Sequence, residues 1–156
     1  MVHASAVVLR ESGVLIRGVS GSGKTSLALA LIEKTLMKQN FAAMVGDDWV
    51  TLAARSGRLI AKGAPQTAGL AERRGLGLIG VRGALAGVIS MVVDLAAISG
   101  PPQRLPEVEA MQVRLEGVEV ARLSLTHSSS VEMNAAIVLE ALVNMGTVGR
   151  ERVDFP

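Results

Sequence analysis

The chain has 156 residues, of which 49% are hydrophobic and 19% charged, and this size and balance favour one compact domain. It contains no cysteine, which excludes disulfides and thiolate-bound metals. A formal net charge of only +2 gives no support for a nucleic-acid partner. Glycine and charged residues interrupt the apolar run from Leu76 to Leu95, and the N-terminus lacks a signal-peptide pattern. We therefore expect a single cytoplasmic domain over residues 1–156, without a membrane partner.

The predicted elements alternate between strands and helices. Aliphatic runs at 7–9 and 14–16 predict two strands joined by a turn, and residues 24–38 predict a helix with one apolar face. The remaining predictions, in chain order, are strands at 42–45, in a hairpin over 49–60, at 88–95 and at 118–125, a proline-rich loop at 99–109 and a helix at 131–145. This mixture predicts an α/β fold, with helices flanking one central sheet that contains a phosphate-binding P-loop.

A glycine-rich segment between the second strand and the first helix matches the Walker A pattern at every specified position. Its glycines allow backbone N–H groups to surround an anion, and a helix N-terminus attracts negative charge. Lys24 can reach the β- and γ-phosphates of ATP, and the Thr25 hydroxyl can coordinate Mg²⁺. We predict a nucleotide-binding loop that consists of Gly18, Val19, Ser20, Gly21, Ser22, Gly23, Lys24 and Thr25.

Two adjacent carboxylates, Asp47 and Asp48, follow the aliphatic strand at 42–45. On an extended segment they would point to opposite sides, so that one could face a metal while the other faces an incoming hydroxyl. Without the glycine-rich loop, a pair that opens a turn or caps a helix would be the better interpretation.

Several other polar residues allow both a structural and a chemical interpretation. The charged run at 72–75 is either an ordinary solvated cluster or a phosphate or metal site. Arg104, in the proline-rich loop, could close over phosphoryl oxygens. His127 fits a turn or a helix cap, and Asp94 fits a hydrogen-bonding role as well as a catalytic one.

These motifs, in this order, resemble the C-terminal catalytic domain of the HPr kinase/phosphorylase family, here in a short form without the usual N-terminal domain. The resemblance runs from His3 to about Asn134. Its most diagnostic part is the family's Glu-x-Arg-Gly-Leu-Gly signature, present as Glu72-Arg73-Arg74-Gly75-Leu76-Gly77.

The resemblance implies a kinase that uses ATP and Mg²⁺ to phosphorylate a serine of HPr or an HPr-like phosphocarrier, and that assembles as a hexamer. It implies that Asp48 is the base for phosphorylation and the acid for the reverse reaction. The catalytic residues it implies are His3, Lys24, Asp48 and Arg104, the last in contact with the protein substrate. The metal ligands it implies are Thr25 and Glu72, to which the strand-end position adds Asp47.

One departure concerns the reverse reaction, a phosphorolysis that yields pyrophosphate. The family usually carries a Pro-Gly-Arg-Asn-like segment near the last helix, and residues 128–134 keep only Asn134. We therefore expect kinase activity with little phosphorylase activity, and pyrophosphate is an alternative donor. Two other functions stay open, a small-metabolite kinase with an arginine-bearing lid and a nucleotide-sensing module. A GTPase is least favoured, because the chain has no Asn-Lys-x-Asp motif.

Overall fold

The computed structural model describes residues 1–96, 111–126 and 129–153, and side chains as far as residue 145. Its strands and helices, in chain order, are β1 (Val2–Leu9), β2 (Ser12–Gly18), α1 (Lys24–Met37), β3 (Ala42–Gly46), β4 (Trp49–Arg55), β5 (Arg58–Gly63), β6 (Leu70–Arg73), β7 (Gly77–Gly80), β8 (Ala86–Ala96), β9 (Gln112–Leu115), β10 (Val118–Thr126) and α2 (Val131–Val153). The predicted loop at 99–109 lies outside the described residues.

Eight of the strands form one mixed sheet. Its central strands run in the order β3–β1–β2–β8–β10–β9, with β2 and β10 parallel to β8 and the other pairs antiparallel. The strands β4 and β5 form a hairpin that pairs with β1 on one side and with β8 on the other. Because β2 also pairs with β8, the five strands β1, β4, β5, β8 and β2 close into a ring. Strands β6 and β7 form a separate hairpin.

The two faces of the central strands are buried against different partners. On one face α1 and α2 pack against the sheet, and Leu27 and Leu31 of α1 are fully buried there. Inside the strand ring lies a second apolar core that includes Leu15, Val50 and Leu59. Alternation with a period of two along β4 and β5 supplies this inner core, because every second side chain points into the ring.

The α/β class is confirmed, with a mixed sheet and two α-helices among the described residues. Helices cover one face only, and the β4–β5 hairpin covers the other. The hairpin itself was predicted, with its turn at Ser56–Gly57. In the part of the chain that the structure describes, no helix is both long and apolar enough to cross a membrane.

Candidate active site

The glycine loop, residues 18–25, leaves the end of β2 and enters α1. Position 18 requires glycine because neighbouring atoms lie close to its backbone. A Cβ there would lie 2.5 Å from Ser22 Oγ and 2.8 Å from the Leu95 carbonyl oxygen. Gly23 caps α1 in the left-handed conformation, with φ of 95°, which glycine adopts without strain. Gly18 and Gly23 therefore allow the backbone geometry that the Walker A pattern predicts.

Polar groups of this loop are positioned for an anion. The Lys24 ammonium group is buried and donates hydrogen bonds to the carbonyl oxygens of Gly18 (3.0 Å) and Val19 (3.1 Å). The buried Ser22 hydroxyl has no hydrogen-bond partner among the described residues. No side chain caps the first turn of α1, so its N–H groups are open at the end of the helix that carries partial positive charge.

A cavity of about 320 Å³ opens directly over this loop. One wall is the glycine loop with Ser26, and the other includes Arg74 and the N-terminus of α2, where Ser129 and Asn134 line the space. The Asn134 amide is buried and donates a 3.0 Å hydrogen bond to the Thr126 carbonyl oxygen, which ties α2 to the end of β10. The sequence interpretation pointed to Arg74 but missed Ser129, whose serine-rich surroundings carried no distinctive signal.

Asp47 is the centre of a hydrogen-bond network at the end of β3. Its Oδ1 atom accepts 2.8 Å hydrogen bonds from the hydroxyls of Thr25 and Ser5. Its Oδ2 atom accepts a 3.3 Å bond from the Glu72 backbone N–H. The network joins four elements, β1, α1, β3 and β6. Ser5 is fully buried and was missed from the sequence, because one serine in an apolar strand gives no signal of its partner.

Asp48 lies beside this network but faces a different environment. The expected extended backbone is wrong here, since Asp48 adopts the left-handed conformation with φ of 65°. The carboxylate is about half exposed and lies 3.6 Å from His3 Nε2. The His3 ring in turn contacts the Trp49 ring, with their centroids 5.1 Å apart. The connection from β3 to β4 thus places the two adjacent carboxylates in different environments, Asp47 beside Thr25 and Asp48 beside His3.

The charged run at 72–75 forms one strand and the turn of the β6–β7 hairpin. Only the Glu72 backbone is tied to Asp47, and the Glu72 side chain is exposed. Arg73 forms an ion pair with Glu33 on α1, so it braces the hairpin against the helix. Among the described residues no group of three or more acidic or histidine side chains is clustered tightly enough to hold a metal. Arg104 and His127 lie outside the described residues.

Behind the glycine loop, Asp94 accepts hydrogen bonds from Arg17 (2.7 and 2.8 Å) and Arg122 (2.6 Å). Burial raises the pKa of Asp94, but the hydrogen bonds and charges of both arginines together lower it more, so its pKa lies below the ordinary value. The hydrogen bond to Asp94 also outweighs desolvation at Arg17 and raises the pKa of that guanidinium. This triad joins β2, β8 and β10, which favours the structural interpretation of Asp94.

Comparison with known proteins gives the family. The sequence profile described as HPr Serine kinase C-terminal domain matches residues 1–154. The chain belongs to this family. Over 97 residues, or 62% of the chain, it is 37% identical to the HPr kinase/phosphorylase of Clostridium tetani, and over 93 residues, or 60%, it is 37% identical to that of Clostridium beijerinckii. The matched segments cover 29% and 28% of these relatives, so the chain matches little more than a quarter of their length.

The fold of this HPr kinase family member agrees with a solved structure. The Hpr(Ser) kinase/phosphatase from Coxiella burnetii superimposes with a TM-score of 0.76 at 20% sequence identity, and the match covers 99% of this chain and 98% of that one. At that identity the likeness concerns the fold alone. The family profile over residues 1–154 confirms the resemblance inferred from the Walker A and Glu-x-Arg-Gly-Leu-Gly motifs.

Proposed function

We propose that this domain is an ATP- and Mg²⁺-dependent protein kinase that phosphorylates a serine of HPr or an HPr-like phosphocarrier. The contact that carries the proposal is the 2.8 Å hydrogen bond from Thr25 to Asp47, because it brings the Walker A motif and the strand-end acids into one site. Family membership and the names of the relatives support the same reaction. The same proposal includes a P-loop on the central sheet, one catalytic domain over residues 1–156, a cytoplasmic location and a hexameric assembly.

Phosphate binding is assigned to the glycine loop. The open N–H groups at the start of α1 face the phosphates of ATP, and Ser22 lines the same cavity. Lys24 exchanges its two carbonyl partners for phosphate oxygens, which leaves its charge paired throughout. Arg74, on the opposite wall of the cavity, offsets charge on the transferring phosphoryl group.

The residues around Asp47 fit a magnesium ion. Mg²⁺ prefers oxygen donors and is usually held by one or two carboxylates together with substrate phosphates and water, so a dense acidic cluster is not required. The Thr25 hydroxyl and the Asp47 carboxylate supply such oxygen atoms 2.8 Å apart, and Glu72 on β6 is joined to Asp47 through its backbone N–H. An ion held by Thr25 and Asp47 would supply positive charge that offsets the negative charge of the phosphates.

Asp48 is the proposed base. It accepts the proton of the serine hydroxyl while the serine oxygen forms a bond to the γ-phosphorus and the bond to the bridging oxygen of ADP breaks. Its exposed carboxylate suits an acceptor that arrives from solvent, and His3 holds its orientation from 3.6 Å. Arg104 is assigned to the protein substrate. Because residues 128–134 keep only the Asn of the family's segment, we propose that the reverse phosphorolysis is weak.

Incubation of the protein with HPr and Mg²⁺-ATP, followed by mass spectrometry of HPr, tests this function. The expected product is HPr with one added phosphate on a serine, and none on HPr whose acceptor serine is alanine. Pyrophosphate in place of ATP tests the second donor. Transfer to members of a metabolite panel but not to HPr would contradict the protein-kinase assignment. Tight ATP binding without transfer to any acceptor would favour a nucleotide sensor.

A further inference from the structure

One side of the β4–β5 hairpin faces away from the strand ring and is not covered by any described element. Val50, Leu59 and Ala61 point into the ring, so the alternate residues point outward. We call this surface the outer face. It consists of Trp49, Thr51, Ala53, Arg55, Arg58, Ile60 and Lys62, extended across the β5–β8 pairing by Ala86 and Val88.

Positive charge dominates the outer face. Residues 49–63 contain three cations, Arg55, Arg58 and Lys62, and no acidic residue. All three are exposed, and none has an ion-pair partner among the described residues. Arg55 and Arg58 are direct cross-strand partners, an arrangement in which like charges destabilise a sheet. Carboxylates from another molecule would remove this repulsion.

The outer face also carries exposed apolar side chains. Trp49 is 50% exposed and Val88 is 39% exposed. Ile60 lies between Ala53 and Val88, its cross-strand partners on β4 and β8. Half-exposed aromatic side chains with aliphatic neighbours are typical of protein–protein contacts, whereas nucleic-acid surfaces carry more cations.

The outer face is continuous with the candidate active site. Trp49 follows Asp48 directly, and its cross-strand partner on β1 is His3. Six residue steps of about 3.3 Å along β4 separate Trp49 from Arg55, so the cations extend to about 20 Å from the proposed base. A molecule of metabolite size cannot reach both, but a folded protein can.

We infer that the outer face docks the protein that carries the acceptor serine, through an acidic and partly apolar surface of that protein. The inference rests on the proposed function and adds to it a surface and the chemistry of the partner. Trp49 lies at the end of this surface next to Asp48, where it aligns the acceptor segment, while Arg55 and Arg58 attract and hold the remote part of the partner.

Charge reversal tests the surface, with HPr as the probe. Arg55→Glu/Arg58→Glu keeps the same cross-strand repulsion but inverts its sign, so the fold is conserved. The matched control is Arg10→Glu/Lys38→Glu, which changes the net charge equally at exposed positions in the β1–β2 turn and at the end of α1, away from Asp48. We expect KM for HPr to rise ~10-fold or more in the first variant, with kcat and ATP affinity unchanged, and to stay constant in the control.

A neutral variant and three further outcomes complete the test. Arg55→Gln/Arg58→Gln should raise KM by a smaller factor and reduce its dependence on salt.

An unchanged KM in the Glu variant overturns the inference while the proposed function stands. Loss of oligomers in light scattering, or loss of binding to a 20-nucleotide RNA, with KM unchanged, would assign the face to a second copy or to nucleic acid instead. If the unsubstituted protein does not phosphorylate HPr, the proposed function fails, and the inference fails with it.

Discussion

The Thr25 hydroxyl donates a 2.8 Å hydrogen bond to the Asp47 carboxylate across 22 positions of sequence. The same carboxylate oxygen accepts the buried Ser5 hydroxyl, so Asp47 is held from two sides. This contact aligns the last residue of the glycine loop with the end of β3. The metal assignment, the position of Asp48 and the direction from which an acceptor arrives all depend on it.

Asp47→Asn should remove most of the benefit of Mg²⁺ for nucleotide binding. Asn keeps the size of Asp and one acceptor oxygen for Ser5 and Thr25, so the fold should persist, but the bond from the Glu72 N–H and the negative charge that attracts the ion are lost. We expect the gain in ATP affinity on addition of Mg²⁺ to fall about tenfold. Isothermal titration with and without Mg²⁺ measures this, and Asp48→Asn is the matched control. An undiminished Mg²⁺ effect would place the metal elsewhere.

His3→Phe should lower kcat without changing KM for HPr. Phe keeps the ring contact with Trp49 but removes the nitrogen that lies 3.6 Å from Asp48. Because His3 acts on Asp48 rather than on the substrate, the expected loss is about tenfold, below the range for a group that transfers the proton itself. Steady-state kinetics with HPr measures both constants. A change in KM alone would assign His3 to substrate docking instead.

Asp94→Asn should destabilise the fold, with a defined pH dependence. The variant leaves two arginines without a carboxylate, and partial solvent exposure limits the cost to about 2 kcal/mol. Since the folded-state pKa of Asp94 lies below the ordinary 3.8, its contribution is complete above pH 3.8 and is lost as the pH falls through the lower value. Urea unfolding at several pH values should give a constant difference from pH 8 to 5 that shrinks only below 3.8. A difference that already declines near pH 6 would contradict this assignment.

Arg55→Gln should stabilise the isolated protein. The substitution removes the like-charge pair with Arg58 on the opposite strand, at a surface position, and we expect a gain of about 0.5 kcal/mol in the free energy of unfolding. Arg10→Gln, at an exposed turn without such a partner in the register, is the control. Denaturant unfolding at low salt measures both, and the gain should decrease at high salt. Equal stability of the two variants at low salt would exclude repulsion at this pair.

Local structure was largely predictable because it depends on neighbouring residues. The spacing of Leu27 and Leu31 predicts the buried face of α1, and the glycines that precede Lys24 predict where that helix begins. The turn at Ser56–Gly57 predicts the β4–β5 hairpin. Walker A chemistry is also local, since its eight residues are consecutive, so the loop could be found without any knowledge of the sheet.

Long-range pairings could not be predicted from periodicity. Alternation along β4 identifies the side that is buried but not the strand that buries it, and the closure of the ring through β1 and β8 was therefore missed. The same limit applies to Ser5, whose partner Asp47 is 42 positions away. Asp48 differs, because its left-handed backbone belongs to the tight connection from β3 to β4, and the preference of aspartate for that conformation is too weak to predict it.

The most direct test of the central claim compares Asp48→Asn with the unsubstituted protein in two measurements on the same samples. Asn has nearly the shape of Asp and tolerates the left-handed backbone, so the geometry is kept while the negative charge and the ability to take a proton are lost. The account predicts that the rate of serine phosphorylation of HPr falls on the order of 10²–10⁴-fold while ATP affinity stays within about twofold. Full kinase activity in Asp48→Asn would contradict it.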